Sequence, residues 1–327
     1  AEVPAQANGA LIAFRVVAED AATAAASAIF PTEGEGLVRC GDPAGGGSFG
    51  TYRMWITAAD RADWDAQPFR SNTPFPITFV SNDSRVIYAA GAYYGGNRDS
   101  HGDPLTGSVS YDVVLPAGDQ FLGADKLTLD YPVRDPTNQR EQLMHWFADQ
   151  LHLPTLHRRD IYLYMNGVRR RDIYHDAEQP DGVVAGSYFP GDDGELFKTS
   201  NDNETTDGGT RIRPFVRNLL DVFAADGRIR AARYRWTTAA RARGSRTRLD
   251  DTSIIDLMQR ADHAGPQYAE RLLEVVDMEN WMRTFALIDL ASFWDAFGNP
   301  NFKNTYLYKP DGGRWVQFTW DFDVGLG

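Results

Sequence analysis

The chain has 327 residues, of which 43% are hydrophobic and 12% aromatic, so it can bury a large core and is not a disordered protein. Its formal net charge of −12 argues against general binding to nucleic acids or acidic membranes. No apolar run approaches the ~18 residues of a membrane-spanning helix, and the single cysteine, Cys40, excludes an intrachain disulfide and a cysteine-based metal cluster.

Residues 1–115 are predicted to form a β-rich, sandwich-like domain. Apolar or alternating runs that are typical of strands are separated there by turn-rich stretches. These runs cover residues 10–17, 36–40, 51–57, 76–80, 85–88 and 110–115. A helical turn is predicted over residues 60–66.

From about residue 135 the period of the pattern changes, so we expect a second, α+β domain over residues 116–327. Asp135-Pro-Thr137 is typical of a helix start. This helix is expected to carry Leu143, Trp146, Phe147 and Leu151 on one face. A strand at 159–164 leads into Asn166-Gly167, a strong hairpin signal. Further helices are predicted over 215–223, 253–261 and 267–294.

Two segments have a biased composition. Residues 191–209 are rich in Asp, Asn, Thr and Gly and are interpreted as a surface loop. Residues 228–248 contain eight arginines and no acid. Two interpretations of this arginine segment stay open: a solvated segment paired to acidic neighbours, and a docking site for an acidic or phosphorylated partner.

The common catalytic motifs are absent from the sequence: there is no Gly-x-Ser-x-Gly, no His-Glu-x-x-His and no Walker-type phosphate loop. A zinc site that uses His145 and His152 has weak support from their spacing of seven residues. A pair of glycosidase carboxylates also stays open, because their separation is set by the tertiary structure.

The C-terminal residues carry the strongest chemical signal. Residues 314–324 are predicted to be a strand in which Asp321 and Asp323 share a face, roughly 6–7 Å apart. Asp295 and Asn304 precede them in a loop after a helical pattern. Oxygen ligands of this kind suit a hard cation such as Mg²⁺ and the phosphates that it carries.

Three C-terminal segments resemble the signature of the CotH kinase family, the spore-coat-protein-H-like secretory kinases. They are Tyr306-Leu-Tyr308, Gly313-Arg-Trp315 and Trp320-Asp-Phe-Asp-Val-Gly325. Upstream, Asp135-Pro-Thr-Asn-Gln-Arg-Glu141 and Tyr162-Leu-Tyr-Met-Asn-Gly167 resemble further elements of that family. The resemblance covers about residues 85–327. It implies an atypical kinase-like α+β core that transfers the γ-phosphoryl group of ATP, with Mg²⁺ or Mn²⁺, to Ser or Thr of an exported protein substrate.

The resemblance also implies roles for individual residues. Asp321 would bind the metal, and Asp323 would support the metal shell. Asn304 matches the asparagine that precedes the family's Tyr-Leu-Tyr strand. Asp295 is the nearest acid for a catalytic base. Trp315 would stack on the adenine ring.

The sequence departs from the family pattern in three places. Position 299 is Asn where the family has its catalytic Asp, and the family's phosphate-binding lysine is absent from residues 107–114. The candidate replacements for this cation are Lys126, Lys198 and Arg98. Glu178 falls in the Glu-Gln element and is a candidate contact to the nucleotide. Family members usually continue beyond the closing motif, so we expect a C-terminal truncation after Gly327.

Other functions stay open beside the kinase. One is a nucleotide-binding pseudokinase, which the missing lysine favours. Another is a non-enzymatic surface or coat protein whose sheet-rich region and arginine segment bind partners or glycans. A carbohydrate-active enzyme has less support. The first residues, Ala-Glu-Val-Pro without Met, fit a mature chain after signal-peptide removal or a cloned fragment, and favour a secreted or cell-surface bacterial protein.

Overall fold

The computed structural model describes residues 3–19, 27–45, 47–67, 71–96, 109–198, 252–261, 267–297 and 304–327. The predicted helix at 215–223, the arginine segment and most of the loop at 191–209 lie outside the described residues. The described residues have a mixed α+β architecture, as predicted. They divide into two compact units.

The first unit comprises the described parts of Ala1–Tyr131 and Arg158–Ala177. It contains twelve strands and one helix within these residues. Their bounds are β1 Leu11–Phe14, β2 Val16–Glu19, β3 Ser27–Phe30, β4 Gly36–Arg39, β5 Gly50–Trp55, α1 Ala58–Ala66, β6 Phe75–Ser81, β7 Arg85–Tyr94, β8 Tyr111–Val114, β9 Lys126–Asp130, β10 Arg158–Met165, β11 Val168–Arg169 and β12 Tyr174–Ala177.

Most of these strands belong to one sheet that closes on itself. The strand order is β11-β10-β12-β9-β8-β7-β6-β5, and β10 also pairs in parallel with β5. Seven of the described strands therefore form a barrel-like sheet, with β11 as an extension of β10, and not the two facing sheets of a sandwich. The predicted boundary between residues 115 and 116 falls between β8 and β9, which pair with each other in this sheet.

Alternate residues of the strands fill the inside of the closed sheet with apolar and aromatic side chains. Helix α1 adds Trp64, which is fully buried and stacks on Phe75 with ring centroids 5.8 Å apart. The predicted hairpin is confirmed at Asn166 and Gly167, which have φ of 47° and 76° between the paired residues Met165 and Val168. Two residues with positive φ are what a tight hairpin turn of this type requires.

The second unit comprises the described parts of Pro132–His157, Glu178–Glu204 and Thr210–Gly327. The bounds of its elements are α2 Arg140–Gln150, α3 Gly182–Tyr188, β13 Glu195–Lys198, α4 Thr252–Arg260, α5 Tyr268–Val275, α6 Met278–Leu290, β14 Thr305–Lys309 and β15 Val316–Thr319. The strands form an antiparallel sheet in the order β13-β14-β15. None of the described helices is long and apolar enough to cross a membrane.

Both faces of this three-stranded sheet are covered. On one face, Phe318 packs edge-on against Tyr188, the last residue of α3, with ring centroids 5.7 Å apart. On the other face, Phe197 and Leu307 join an apolar cluster with Trp281 of α6. Because every strand residue of β15 is buried, polar side chains in this strand have no contact with bulk water.

The buried face of α2 differs from the prediction. Leu143 and Trp146 are 41% and 53% exposed, whereas Met144, His145 and Ala148 are buried. Phe147 and Leu151, which also belong to the predicted face, are partly buried against the apolar cluster of this unit. The buried side of the helix is therefore shifted from the predicted face, because the interior also takes up the imidazole of His145. The helix begins at Arg140, whose backbone N–H donates to the carboxylate of Asp135 (2.7 Å).

The single helix predicted over 267–294 is two helices, α5 and α6. At the break, the backbone N–H of Trp315 donates to the carbonyl of Val275 (2.7 Å) and the N–H of Asp277 donates to the carbonyl of Trp315 (3.0 Å). The Asp277 carboxylate then caps α6 by accepting the N–H of Asn280. A hydrogen-bonded crossing with a distant segment therefore interrupts the helix.

Arg53 in β5 is 2% exposed and pairs with Asp83 (2.6 Å), and its guanidinium also lies 4.9 Å from the ring centroid of Tyr164. The hydrogen bond from Arg53 holds the pKa of the Asp83 carboxyl below its ordinary value; partial burial opposes this effect, and the N–H of Gly45 adds to it. A group whose pKa is lowered by folding stabilises the fold above its ordinary pKa, about 4 for Asp. This stabilisation is lost as the pH falls through the lowered pKa.

We therefore expect Asp83→Asn to lower the melting temperature at pH 7, and the gap to wild type to narrow as the pH falls below about 4. Thermal unfolding followed between pH 2 and pH 8 measures both effects. Asp125→Asn, at an exposed position of the same unit, is the control and should leave the melting temperature unchanged. Equal melting temperatures of wild type and Asp83→Asn at pH 7 would contradict this role.

Candidate functional site

The C-terminal acids do not lie on one continuous strand. β15 ends at Thr319, and Asp321 has a left-handed backbone with φ of 62°. The prediction of a strand over 314–324, with Asp321 and Asp323 on the same face, was therefore wrong, because strict alternation requires an extended backbone. Both acids are partly buried, and they flank the fully buried Phe322.

Phe322 anchors this segment. Its ring centroid lies 5.0 Å from that of Phe293 and 5.1 Å from that of His145. A few residues later, the N–H of Leu326 donates to the carbonyl of Ala291 (2.7 Å). These contacts fix the segment after β15 against residues 291–293.

Asp295 is close to the same anchor, because it follows Phe293 by two residues, a distance of at most about 7 Å along the chain. It is 1% exposed. Its Oδ2 atom accepts a hydrogen bond from Nδ2 of Asn304 (3.2 Å). The structure therefore holds Asp295 in place from both its own segment and the start of β14.

Asn304 contacts both Asp295 and the segment that carries Asp321. Its side chain donates to Asp295, and its carbonyl accepts the N–H of Trp320 (3.0 Å), the residue before Asp321. It has φ of 55°, a left-handed conformation that Asn tolerates better than most residues. The structure thus links Asn304 directly to Asp295 and, through its carbonyl, to the residue before Asp321. A shared site of the three side chains stays a prediction.

The residues that the sequence predicts as metal ligands carry oxygen donors. Since the amide nitrogen of Asn304 donates to Asp295, the amide oxygen is the atom that a cation would bind. Together with the carboxylates of Asp321 and Asp323, this makes a set of oxygen donors only. Mg²⁺ and Mn²⁺ prefer such ligands.

Trp315 is placed in the core. It is fully buried, its ring centroid lies 5.8 Å from that of Phe197, and its carbonyl accepts the indole N–H of Trp281 (2.9 Å). The structure therefore gives Trp315 a packing role. Stacking of its ring on adenine stays a prediction.

Lys198 is the predicted phosphate-binding cation that lies in the same unit. It ends β13 opposite Tyr306, and its Nζ lies 5.8 Å from the centroid of that ring. Tyr306 follows Asn304 by two residues. Lys198 is thus held on the sheet that carries Asn304, in a position stabilised by the aromatic ring.

Lys126 belongs to the first unit. It ion-pairs with Asp112 (3.2 Å) and lies 5.4 Å from the ring centroid of Tyr93. Burial lowers the pKa of Lys126, but the Asp112 carboxylate and Tyr93 outweigh burial, so the pKa is raised above its ordinary value. Lys126 therefore stays charged at neutral pH. Arg98 lies outside the described residues.

Glu178 is the first residue of the segment 178–204 of the second unit. One of its carboxylate oxygens accepts the backbone N–H of His157 (2.7 Å), and its own N–H donates to the carbonyl of His157 (2.9 Å). The structure gives this carboxylate a role in fixing the chain. Contact of Glu178 with a nucleotide stays a prediction.

The histidine pair proposed for zinc is separated by the end of α2. His145 is buried, and its Nδ1 accepts the N–H of Leu156 (3.4 Å), whereas His152 is exposed beyond the helix. His145 instead supports Phe322. Another buried residue that sequence reasoning left without a role is Gln317, on β15 between Trp315 and the acids.

A family model described as CotH kinase protein matches residues 108–327, more than half of the chain. The chain belongs to the CotH kinase family. The resemblance stated from the C-terminal motifs is therefore confirmed. The match includes strands β8 to β12 of the first unit and every described element of the second. No protein matches the chain in a comparison with curated proteins.

Phe322→Leu tests whether the aromatic anchor positions the acids. We expect a loss of about 1–3 kcal/mol in the free energy of unfolding and a weaker affinity for Mn²⁺, because Asp321 and Asp323 lose their fixed position. Chemical unfolding and calorimetric titration with Mn²⁺ measure the two effects. Phe318→Leu, in the same unit and equally buried, should lose similar stability and keep its Mn²⁺ affinity. Equal Mn²⁺ affinities of the two variants would disprove the anchor.

Proposed function

We propose that this CotH-family protein is a metal-dependent phosphotransferase that moves the γ-phosphoryl group of ATP to Ser or Thr of an exported protein substrate. The observation that supports this most is the position of Asn304. It contacts Asp295 with its side chain and the residue before Asp321 with its carbonyl. One residue thereby links a candidate base to the segment that carries a candidate metal ligand, and phosphoryl transfer needs both groups.

In this proposal Asp321 and the amide oxygen of Asn304 hold Mg²⁺ or Mn²⁺, and Asp323 supports the metal shell. Such an ion neutralises charge on the phosphates when it is bound. Lys198 supplies a further positive charge from β13, in place of the lysine that is absent from residues 107–114. Fixed positive groups of this kind favour the transition state, since they need no reorganisation during the reaction.

Asp295 is assigned as the general base. It accepts the proton of the substrate hydroxyl while the hydroxyl oxygen bonds to the γ-phosphorus and the bridging bond to ADP breaks. The amide of Asn304 donates to the Oδ2 atom of Asp295 and so fixes the orientation of this carboxylate. A base that is fixed in this way loses little freedom on reaching the transition state.

A pseudokinase that binds ATP without transfer is the second candidate, and one observation favours it. Asp295 is 1% exposed, so a substrate hydroxyl reaches it only if neighbouring residues move. The asparagine at position 299 points the same way, because the family's catalytic Asp is expected there.

Asp321→Ala tests the metal and nucleotide site. We expect ATP with Mg²⁺ to raise the melting temperature of the wild type. At a hundredfold excess of ATP over its Kd, binding adds about 2.7 kcal/mol to the free energy of unfolding. The variant should show almost no shift, because the phosphates lose their metal. Asp289→Ala, at an exposed acid on α6, is the matched control and should behave as wild type. A wild type without any shift would overturn the proposal.

Asp295→Asn separates the kinase from the pseudokinase. We expect transfer of labelled phosphate to a generic protein substrate to fall by about 100-fold or more, because the amide cannot accept the proton. The ATP-induced thermal shift should stay within a few degrees of wild type. Transfer that survives in this variant would remove Asp295 from the mechanism. A wild type that binds ATP but neither transfers nor hydrolyses it would establish the pseudokinase.

A further inference from the structure

β15 carries two buried polar side chains, Gln317 and Thr319. Gln317 and Thr319 are 1% and 2% exposed. Within the part of the chain that the structure describes, no hydrogen-bond partner lies within reach of Nε2 or Oε1 of Gln317 or of Oγ1 of Thr319. A buried amide without partners loses its hydrogen bonds to water and gains none in return, so such groups in a folded protein require an explanation.

The backbone of Gln317 is hydrogen-bonded to α6. Its N–H donates to Oδ1 of Asn280 on α6 (2.7 Å), and its carbonyl accepts Nδ2 of the same side chain (3.4 Å). Asn280 thus fixes this point of the strand from both sides. The amide of Gln317 has a defined position and unused hydrogen-bonding capacity.

The surroundings of Gln317 are apolar. Leu307 lies directly opposite it on β14 and is fully buried, and Trp315 shares its face of the strand. Apolar walls with a few oriented polar groups are typical of ligand sites. The face therefore offers apolar surface and one unsatisfied amide.

The order of side chains along the strand matches the order of groups in a nucleotide. Trp315, Gln317 and Thr319 alternate with the other face of β15 and are followed by Asp321. An aromatic ring, an amide, a hydroxyl and a metal-binding acid thus succeed one another. A nucleotide presents its base, its ribose and its phosphates in the same order.

We propose that Gln317 recognises the adenine base of ATP through its side-chain amide, and that Thr319 contacts the ribose. This inference rests on the proposed function, since it concerns the same nucleotide. An amide provides one donor and one acceptor, which match the 6-amino group and a ring nitrogen of adenine. Gln317 is then a specificity residue of this site, and its unpartnered atoms are explained by the ligand.

Gln317→Met removes the amide at nearly constant volume. Wild type should bind ATP about tenfold more tightly than purine riboside triphosphate, which lacks the 6-amino group. In the variant, ATP affinity should fall about tenfold and the preference should disappear. Titration calorimetry with each nucleotide and Mg²⁺ gives these affinities. Gln150→Met, the same exchange at an exposed position of α2, should keep the wild-type preference.

The melting temperature without nucleotide supplies a second readout. Replacing an unsatisfied buried amide by an apolar group of similar shape should leave it unchanged or raise it. Thr319→Val should also keep the melting temperature, weaken ATP binding about fivefold and preserve the preference for ATP. A large drop in melting temperature for both variants would overturn the inference, because the polar atoms would then serve the ligand-free fold through bound water.

The outcomes distinguish this inference from the function on which it rests. If wild type binds ATP and Gln317→Met keeps the preference for the 6-amino group, the inference fails and the phosphotransferase proposal stands. If wild type binds neither nucleotide, the phosphotransferase proposal fails and takes the inference with it.

Discussion

The packing of Phe322 between Phe293 and His145 is the contact on which the candidate site depends. β15 stops at Thr319, so the acids that follow are not positioned by a strand. Three contacts hold them instead: the aromatic packing, the hydrogen bond from Trp320 to Asn304, and the bond from Leu326 to Ala291. A functional segment can tolerate an irregular backbone when packing fixes it in this way.

The interior of the second unit is unusual in its polarity. Asp295, Asn304, Gln317 and Thr319 are all buried on or beside one small sheet that otherwise packs aromatic and aliphatic side chains. A sequence optimised for stability alone would place apolar side chains at such positions. Where local rules of folding are broken in several neighbouring residues, function is the usual reason. Gln317 and Thr319 are followed within a few residues by Asp321 and Asp323.

The family match and the first unit begin at different residues. The match begins at residue 108, but the closed sheet also needs β5, β6 and β7, which precede it. β8 pairs with β7, and β10 pairs with β5. A chain cut at residue 108 would lose both of these pairings and expose two strand edges, which promote aggregation. The earlier strands are therefore part of the same folding unit as the matched β8 to β12.

The sequence by itself determined the helices and the turn that depend on residues a few positions apart. Helix α1, helix α4 and the Asn166-Gly167 hairpin follow from capping residues, period and turn chemistry within a few positions. The Trp-Asp-Phe-Asp motif identified the family because its residues are contiguous. The resemblance also placed Asp295 and Asn304 in one site, and these two side chains are hydrogen-bonded in the structure.

Only the tertiary structure decided where these elements stop and what they bury. The break between α5 and α6 depends on hydrogen bonds to Trp315, about forty residues away in sequence. The end of β15 depends on Trp320 bonding to Asn304, and the closure of the first sheet depends on β5 meeting β10. Alternation in sequence gives the face of a side chain in a strand but not the residue at which the strand ends. Contacts between distant segments set that limit, and they cannot be read from local pattern.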